Sequence, residues 1–291
     1  MNPSLRHACG LTLLVGAALF PSCDKLDNPV IGVVPDCDTS GMVMPQFTPL
    51  QSDVQRILIE DFTAHQCGNC PPAGLQLAAL VASHPDNIVP LAVHAGSLAG
   101  TNDEYPTDWT TAEGDAFWAD LEFQLNPIGR VNRLQTESTA LLPSQWEETL
   151  NPLLSQSPRA GLQLAVDRDE TTNDLVVHTH VTWFEEVSGP VKLALLIAEN
   201  HIIAPQLWYP NVDPPGPGLV EDFEHEHVLR GSVTGAKGLV IADTPAAGDT
   251  QMLTYCYEWN DAWDVNASDV IAVLTNESGS VIQTLAVHIV E

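Results

Sequence analysis

Two cysteines three residues apart, set between an apolar run and a helix-forming stretch, constrain this chain more than anything else in it. The segment reads Arg56-Ile-Leu-Ile-Glu-Asp-Phe-Thr-Ala-His-Gln-Cys-Gly-Asn-Cys-Pro-Pro72. The near-continuous apolar pattern of Gln55–Thr63 predicts a strand covered on both faces, as inside a parallel sheet. From Cys70 onward, Leu75, Leu77, Ala78, Leu80 and Val81 recur along one side of a predicted helix. Pro71 and Pro72 are tolerated there because first-turn N–H groups have no acceptor to lose. Ile88–His94 predicts a second strand, parallel to the first through a right-handed crossover. This order gives the cysteines a chemistry. At a helix N-terminus the unpaired N–H groups and the helix dipole favour thiolate over thiol, which makes Cys67 a candidate nucleophile. Cys70 is near enough to close a disulfide and expel a bound partner.

The remaining cysteines and the charge place the chain. Of six cysteines, Cys9 lies in an N-terminal segment, residues 1–22, that has the basic start and apolar core of a signal peptide. It ends in Leu19-Phe-Pro-Ser-Cys23, which resembles a bacterial lipobox and would leave Cys23 lipidated; ordinary cleavage nearby without lipid is the alternative. Either way the protein is exported, to the outer membrane or cell envelope, where disulfides persist. Residues 23–53 carry Pro29, Pro35, Pro45 and Pro49 and read as a tether and lead-in. Cys37 sits in it. It either pairs with Cys256 or leaves Cys256 as a small buried residue on a strand. With 38 acidic against 10 basic side chains, net charge −28, nothing resembles a basic stripe for nucleic acid, and anionic lipid would repel the surface.

At 291 residues the chain has room for about two domains. Residues 54–157 hold the strand–helix–strand unit, a polar loop over 96–108, and helices expected over Thr111–Leu125 and Ser144–Ser155. From 158 to 291 the period becomes that of short strands: Gly161–Asp167, Leu175–Trp183, Val191–Glu199, Val228–Thr234, Gln251–Glu258, Asp269–Asn276 and Val281–Val290. Roughly seven to eight such strands indicate an antiparallel β-sandwich, with Gln206–Gly218 as a connecting loop. Two histidine pairs, His178/His180 and His225/His227, would share a strand face and are candidate metal ligands, though solvated histidines are commoner. The acids at Asp167, Asp169 and Asp174, and at Asp261, Asp264 and Asp269, lack EF-hand spacing and read as turns. No motif calls for a cofactor.

Asp61-Phe-Thr-Ala-His-Gln-Cys-Gly-Asn-Cys70 resembles thioredoxins, in which an Asp-Phe pair precedes the first cysteine by the same spacing. That resemblance implies an α/β thioredoxin-like domain before the β-sandwich domain. It makes Asp61 the buried proton acceptor for Cys70, against the plainer role of a strand-end surface acid. It makes Pro127 a cis-proline beside the disulfide, with the Asn126 backbone free to pair with a substrate, against a trans-proline that merely ends a helix. Gln66 and Asn69 depart from the usual Trp and Pro. Together with the lipobox, Val131-Asn-Arg133 and His225-Glu-His-Val-Leu-Arg230, the motif is similar to the outer membrane protein 28-like family of Gram-negative lipoproteins. The expectation is thiol–disulfide exchange with thiol- or disulfide-containing envelope proteins. The competing expectation is a non-enzymatic surface lipoprotein in which Cys67–Cys70 is a structural disulfide.

Overall fold

The computed structural model describes residues 44–134, 139–169 and 172–289, so the signal segment, Cys23 and Cys37 lie outside the described residues. Every described residue belongs to one compact unit. The first half contains β1 (Ile57–Thr63), α1 (Cys70–Ser83), β2 (Ile88–His94), α2 (Ala112–Ala119), β3 (Ile128–Val131) and α3 (Trp146–Leu154). The second half is all strand: β4 (Ala160–Asp169), β5 (Asp174–Trp183), β6 (Pro190–Glu199), β7 (Ile202–Trp208), β8 (Gly218–His225), β9 (Val228–Ser232), β10 (Leu239–Asp243), β11 (Thr250–Glu258), β12 (Ser268–Thr275) and β13 (Val281–His288).

Strands from both halves share one eight-stranded sheet, ordered β13-β12-β6-β9-β2-β1-β3 with β10 on β6. β1 and β2 are parallel, β3 is antiparallel to β1, and β9 meets β2 through the pair Ala92 and Val228. A three-stranded sheet, β11-β5-β4, and a two-stranded one, β7-β8, complete the mostly β fold.

Alternation along each strand sorts side chains between two faces. On one face of β1, Ile57 and Ile59 pack with Ala73, Leu77 and Leu80 of α1 and Trp146, Leu150 and Leu153 of α3. On the other, Leu58 and Phe62 join Phe117 of α2 in a core that runs on to Leu196 of β6 and Val273 of β12. The intervening side chains of β6, Leu193, Leu195 and Ile197, turn the other way. They meet Leu162, Val177, Val181, Trp183 and Tyr255 of the three-stranded sheet. Each fully buried Leu or Ile contributes about 2 kcal/mol.

The helices differ from expectation in length and in the side they bury. α1 presents Ala73, Leu77 and Leu80 to the core, while Gly74, Leu75 and Ala78 are exposed. α2 ends at Ala119, with Asp120 at its C-cap, rather than near Leu125, and Phe123 and Leu125 are exposed. Gln206–Trp208, expected in a loop, form the end of β7.

Candidate functional site

β1 ends and α1 begins on either side of a tight turn. Cys67 N–H donates to Ala64 O at 3.0 Å, and Cys70 N–H to Cys67 O at 3.1 Å, which brings the two sulfurs into a disulfide with a Cα–Cα distance of 5.4 Å. Cys70 is the first residue of α1, and Cys67 stands just ahead of it. Gln66 is tied to the neighbouring loop: its side chain donates to Gly100 O and accepts from Asn102 Nδ2.

Both cysteines are buried, at 2 % and 3 % exposure. The cover is β7. Gln206 Nε2 donates to Ala64 O at 3.3 Å and Cys67 O at 3.1 Å. Leu207 N–H donates to His65 O, and Tyr209 N–H donates to Gly68 O. The Tyr209 ring lies where a side chain on Gly68 would project, so glycine is the residue that lets this cover close.

Asp61 faces α1 from β1, 3 % exposed, with Oδ1 lacking any hydrogen-bond partner. Burial alone pushes its carboxyl up to about 7. The Asn126–Pro127 bond is cis. It precedes β3, which pairs Asp61 with Gly129, and Asn126 Nδ2 donates to Phe62 O and Thr63 O. Asp61, the disulfide turn and Asn126–Pro127 thus gather at the C-terminal end of β1.

Sequence reasoning misses His65 and His94 here, and reads His225 only as a candidate metal ligand. His94, at the end of β2, is 3 % exposed, and its Nδ1 has no partner. His225, at the end of β8, is 5 % exposed, and its Nε2 has none. Their ring centroids are 5.5 Å apart, and His65 lies 6.2 Å from His94. Burial lowers all three: His94 goes well below its ordinary value, with His225 and His65 adding to the effect, and His225 falls to about 4. A histidine two residues before Cys67 and another ending β2 are the available signals.

The four histidines expected as metal candidates do not assemble. His178 and His180 are on β5, bonded to Thr254 Oγ1 and Gln163 Oε1, whereas His225 lies on β8 in a different sheet. His225 and His227 do not share a strand face either, because β8 ends at His225 and His227 adopts a φ of 58°. Among the described residues, one trio, His201, Glu224 and Glu226, has ligand atoms within 4.8 Å of one another, the first two exposed and Glu226 half-buried. The acidic clusters serve turns: Asp264 accepts from Asn266 N–H, and Asp261 from Asn173 Nδ2. Cys256 is disulfide-bonded; its expected partner, Cys37, lies outside the described residues.

Residues 115–291 match the family described as outer membrane protein Omp28. No curated protein matches the chain. Among solved structures, HBP35 of Porphyromonas gingivalis superposes with a TM-score of 0.62 at 15% identity, over 82% of this chain and 76% of that one. A protein of Agrobacterium tumefaciens gives 0.51 at 14% identity, over 82% and 96%. At such identities these are likenesses of fold. No described helix is long and apolar enough to cross a membrane.

Proposed function

The chain belongs to the Omp28 family of outer membrane proteins, and from that premise we propose that its first half is a thioredoxin-like unit that exchanges disulfides in the cell envelope. The observation that carries this reading is Asp61. An unpaired carboxyl held at about 7 behind a disulfide is matched to accepting and returning a proton near neutral pH. In the reduced state Cys67, ahead of the α1 N-terminus, is the nucleophilic thiolate. A mixed disulfide forms, Cys70 attacks it, and Asp61 receives the Cys70 proton as the internal disulfide closes. The Asn126 backbone, beside cis-Pro127, would pair with an extended partner. Lipidation at Cys23 would hold this unit at the membrane.

One observation favours a second reading, a structural disulfide in a binding protein: the pair is sealed under Gln206 and Tyr209. A redox titration with insulin reduction separates the two. Exchange predicts a potential in the range of known exchange enzymes, above about −300 mV, and turnover abolished by Cys67→Ser. A far lower potential with no turnover by reduced, folded protein would sink it. Metabolic labelling with palmitate, lost in Cys23→Ser, tests the anchor.

A further inference from the structure

The two cysteines are equally buried but border different surroundings. Cys67 lies under β7, whereas Cys70 borders a cavity of about 220 Å³ that Gln206 of β7 also lines. Its floor is the α1-facing side of the sheet, with Asp61 and Thr63 of β1 and Ala92 and His94 of β2. One wall is α1, from Pro71 through Gly74 to Ala78; the other is Phe223 and His225 of β8. A side chain added at Gly74 would meet nothing within 4 Å. A mid-helix glycine costs about 0.5–1 kcal/mol relative to alanine, and here that vacancy leaves the cavity mouth open.

The polar end is incomplete. Asp61 Oδ1, His94 Nδ1 and His225 Nε2 are buried without partners. His225 is bonded to the carbonyls of Ala204 and Pro205. With Nε2 unpartnered, those carbonyls fall to Nδ1, and the tautomer protonated there leaves Nε2 as an acceptor in need of a donor. No Lys or Arg lines the cavity, whereas Asp61, Glu224 and Glu226 do. His201 pairs with both glutamates outside the lining, and the neighbouring cation, Arg230, is paired with Glu199 at 3.3 Å. The walls are apolar, the far end accepts hydrogen bonds, and negative charge is already present.

We propose that this cavity admits a small neutral or cationic thiol, which attacks Cys70 rather than Cys67. The inference rests on the exchange reading and names its partner class. The entering thiolate bonds to Cys70 Sγ, the Cys67–Cys70 bond breaks, and Cys67 leaves as thiolate ahead of α1. A second thiolate attacks the entering sulfur and releases the small disulfide, and Cys70 becomes a thiol. Two small thiols are oxidised, the protein disulfide is reduced, and the two protons they lose end on Cys67 and Cys70, with Asp61 beside Cys70 as the carrier. A hydroxyl or ammonium on the thiol supplies the donor that His225 lacks, while a carboxylate is repelled.

The test uses the oxidised full chain at pH 8 with cysteamine, 2-mercaptoethanol and thioglycolate, each rate normalised to that thiol's rate with a free small disulfide. Cysteamine should lead and thioglycolate trail by about tenfold or more. Methyl methanethiosulfonate should label the lone Cys70 of Cys67→Ala about tenfold faster than the lone Cys67 of Cys70→Ala, reflecting access. Gly74→Trp, with an unchanged near-UV spectrum, should slow small-thiol reduction severalfold, and Tyr209→Ala should not accelerate it. Faster labelling of Cys67, or acceleration by Tyr209→Ala with Gly74→Trp silent, overturns the inference and leaves exchange standing. If no thiol reduces the pair except in denaturant, the exchange reading falls with it.

Discussion

Glu60 and Asp61 are consecutive acids on β1, both buried, and the protein treats them in opposite ways. Glu60 points to the α2 face, where Arg130 grips it through two bonds at 2.9 and 3.0 Å and Arg133 adds three more at 2.8, 3.1 and 3.2 Å. Arg130 also lies over Phe62, and Arg133 over Phe117. Burial opposes the charge on Glu60, but the two guanidinium groups prevail and hold its carboxyl below the ordinary value. Asp61, one residue on, faces α1 with no cation and an unpaired oxygen, and burial drives it up to about 7. A strand that alternates faces can therefore carry a permanent charge and a protonatable one side by side. The compensated acid is structural, and the uncompensated one is available for chemistry.

Four measurements break or sharpen this contrast. Glu60→Gln leaves two guanidinium groups without their anion and should destabilise the protein by about 3–5 kcal/mol in urea denaturation; a loss below about 1 kcal/mol would remove the distinction. Asp61→Asn should act with the other sign. The folded carboxyl titrates roughly three units above its ordinary value. Wild type therefore loses stability as pH rises from about 4 to about 7, and the variant should be more stable at pH 8 by up to about 4 kcal/mol, with no gain below pH 4. The same variant should slow exchange. His225, depressed to about 4, works from the acid side: folding strength present above pH 6.5 is lost as pH falls towards 4. His225→Gln should flatten that limb by roughly 3 kcal/mol, read as Tm against pH. Smallest is Thr111→Ala, which removes the hydroxyl accepting from Gly114 N–H at the start of α2. It should cost about 1 kcal/mol and leave disulfide reduction unchanged.

The crossover was readable because its signals are local. Apolar runs gave β1 and β2, cysteine spacing gave the turn, and Pro71 and Pro72 marked the start of α1. Helical periodicity shows that a side is buried but not which neighbour claims it, so Leu75 and Ala78 were assigned inward when α1 turns them out. β7 is masked by its proline, and β8 by the acids Glu221, Asp222 and Glu224 that break its apolar pattern. Pro205 sits inside β7 where the pairing register shifts between Ala204 and Gln206, an irregularity that accommodates a residue with no N–H to give. The site divides likewise. Cys67, Cys70 and Asp61 are set by spacing along one segment, whereas Gln206, Tyr209 and His225 reach it through pairings that no short window contains.

The cover over Cys67 arrives late in the chain. Gln206 is separated from Cys67 by 139 residues, while the turn that joins the two cysteines closes within one segment. Chains tend to fold from the N-terminus as they emerge, so the crossover can form while β7 is still unplaced. In that interval Cys67 is open to any protein oxidant; once Leu207 and Tyr209 dock, a protein partner reaches it only when β7 parts from the turn. The first oxidation of the pair can then be made by whatever meets the half-folded chain before β7 closes over it.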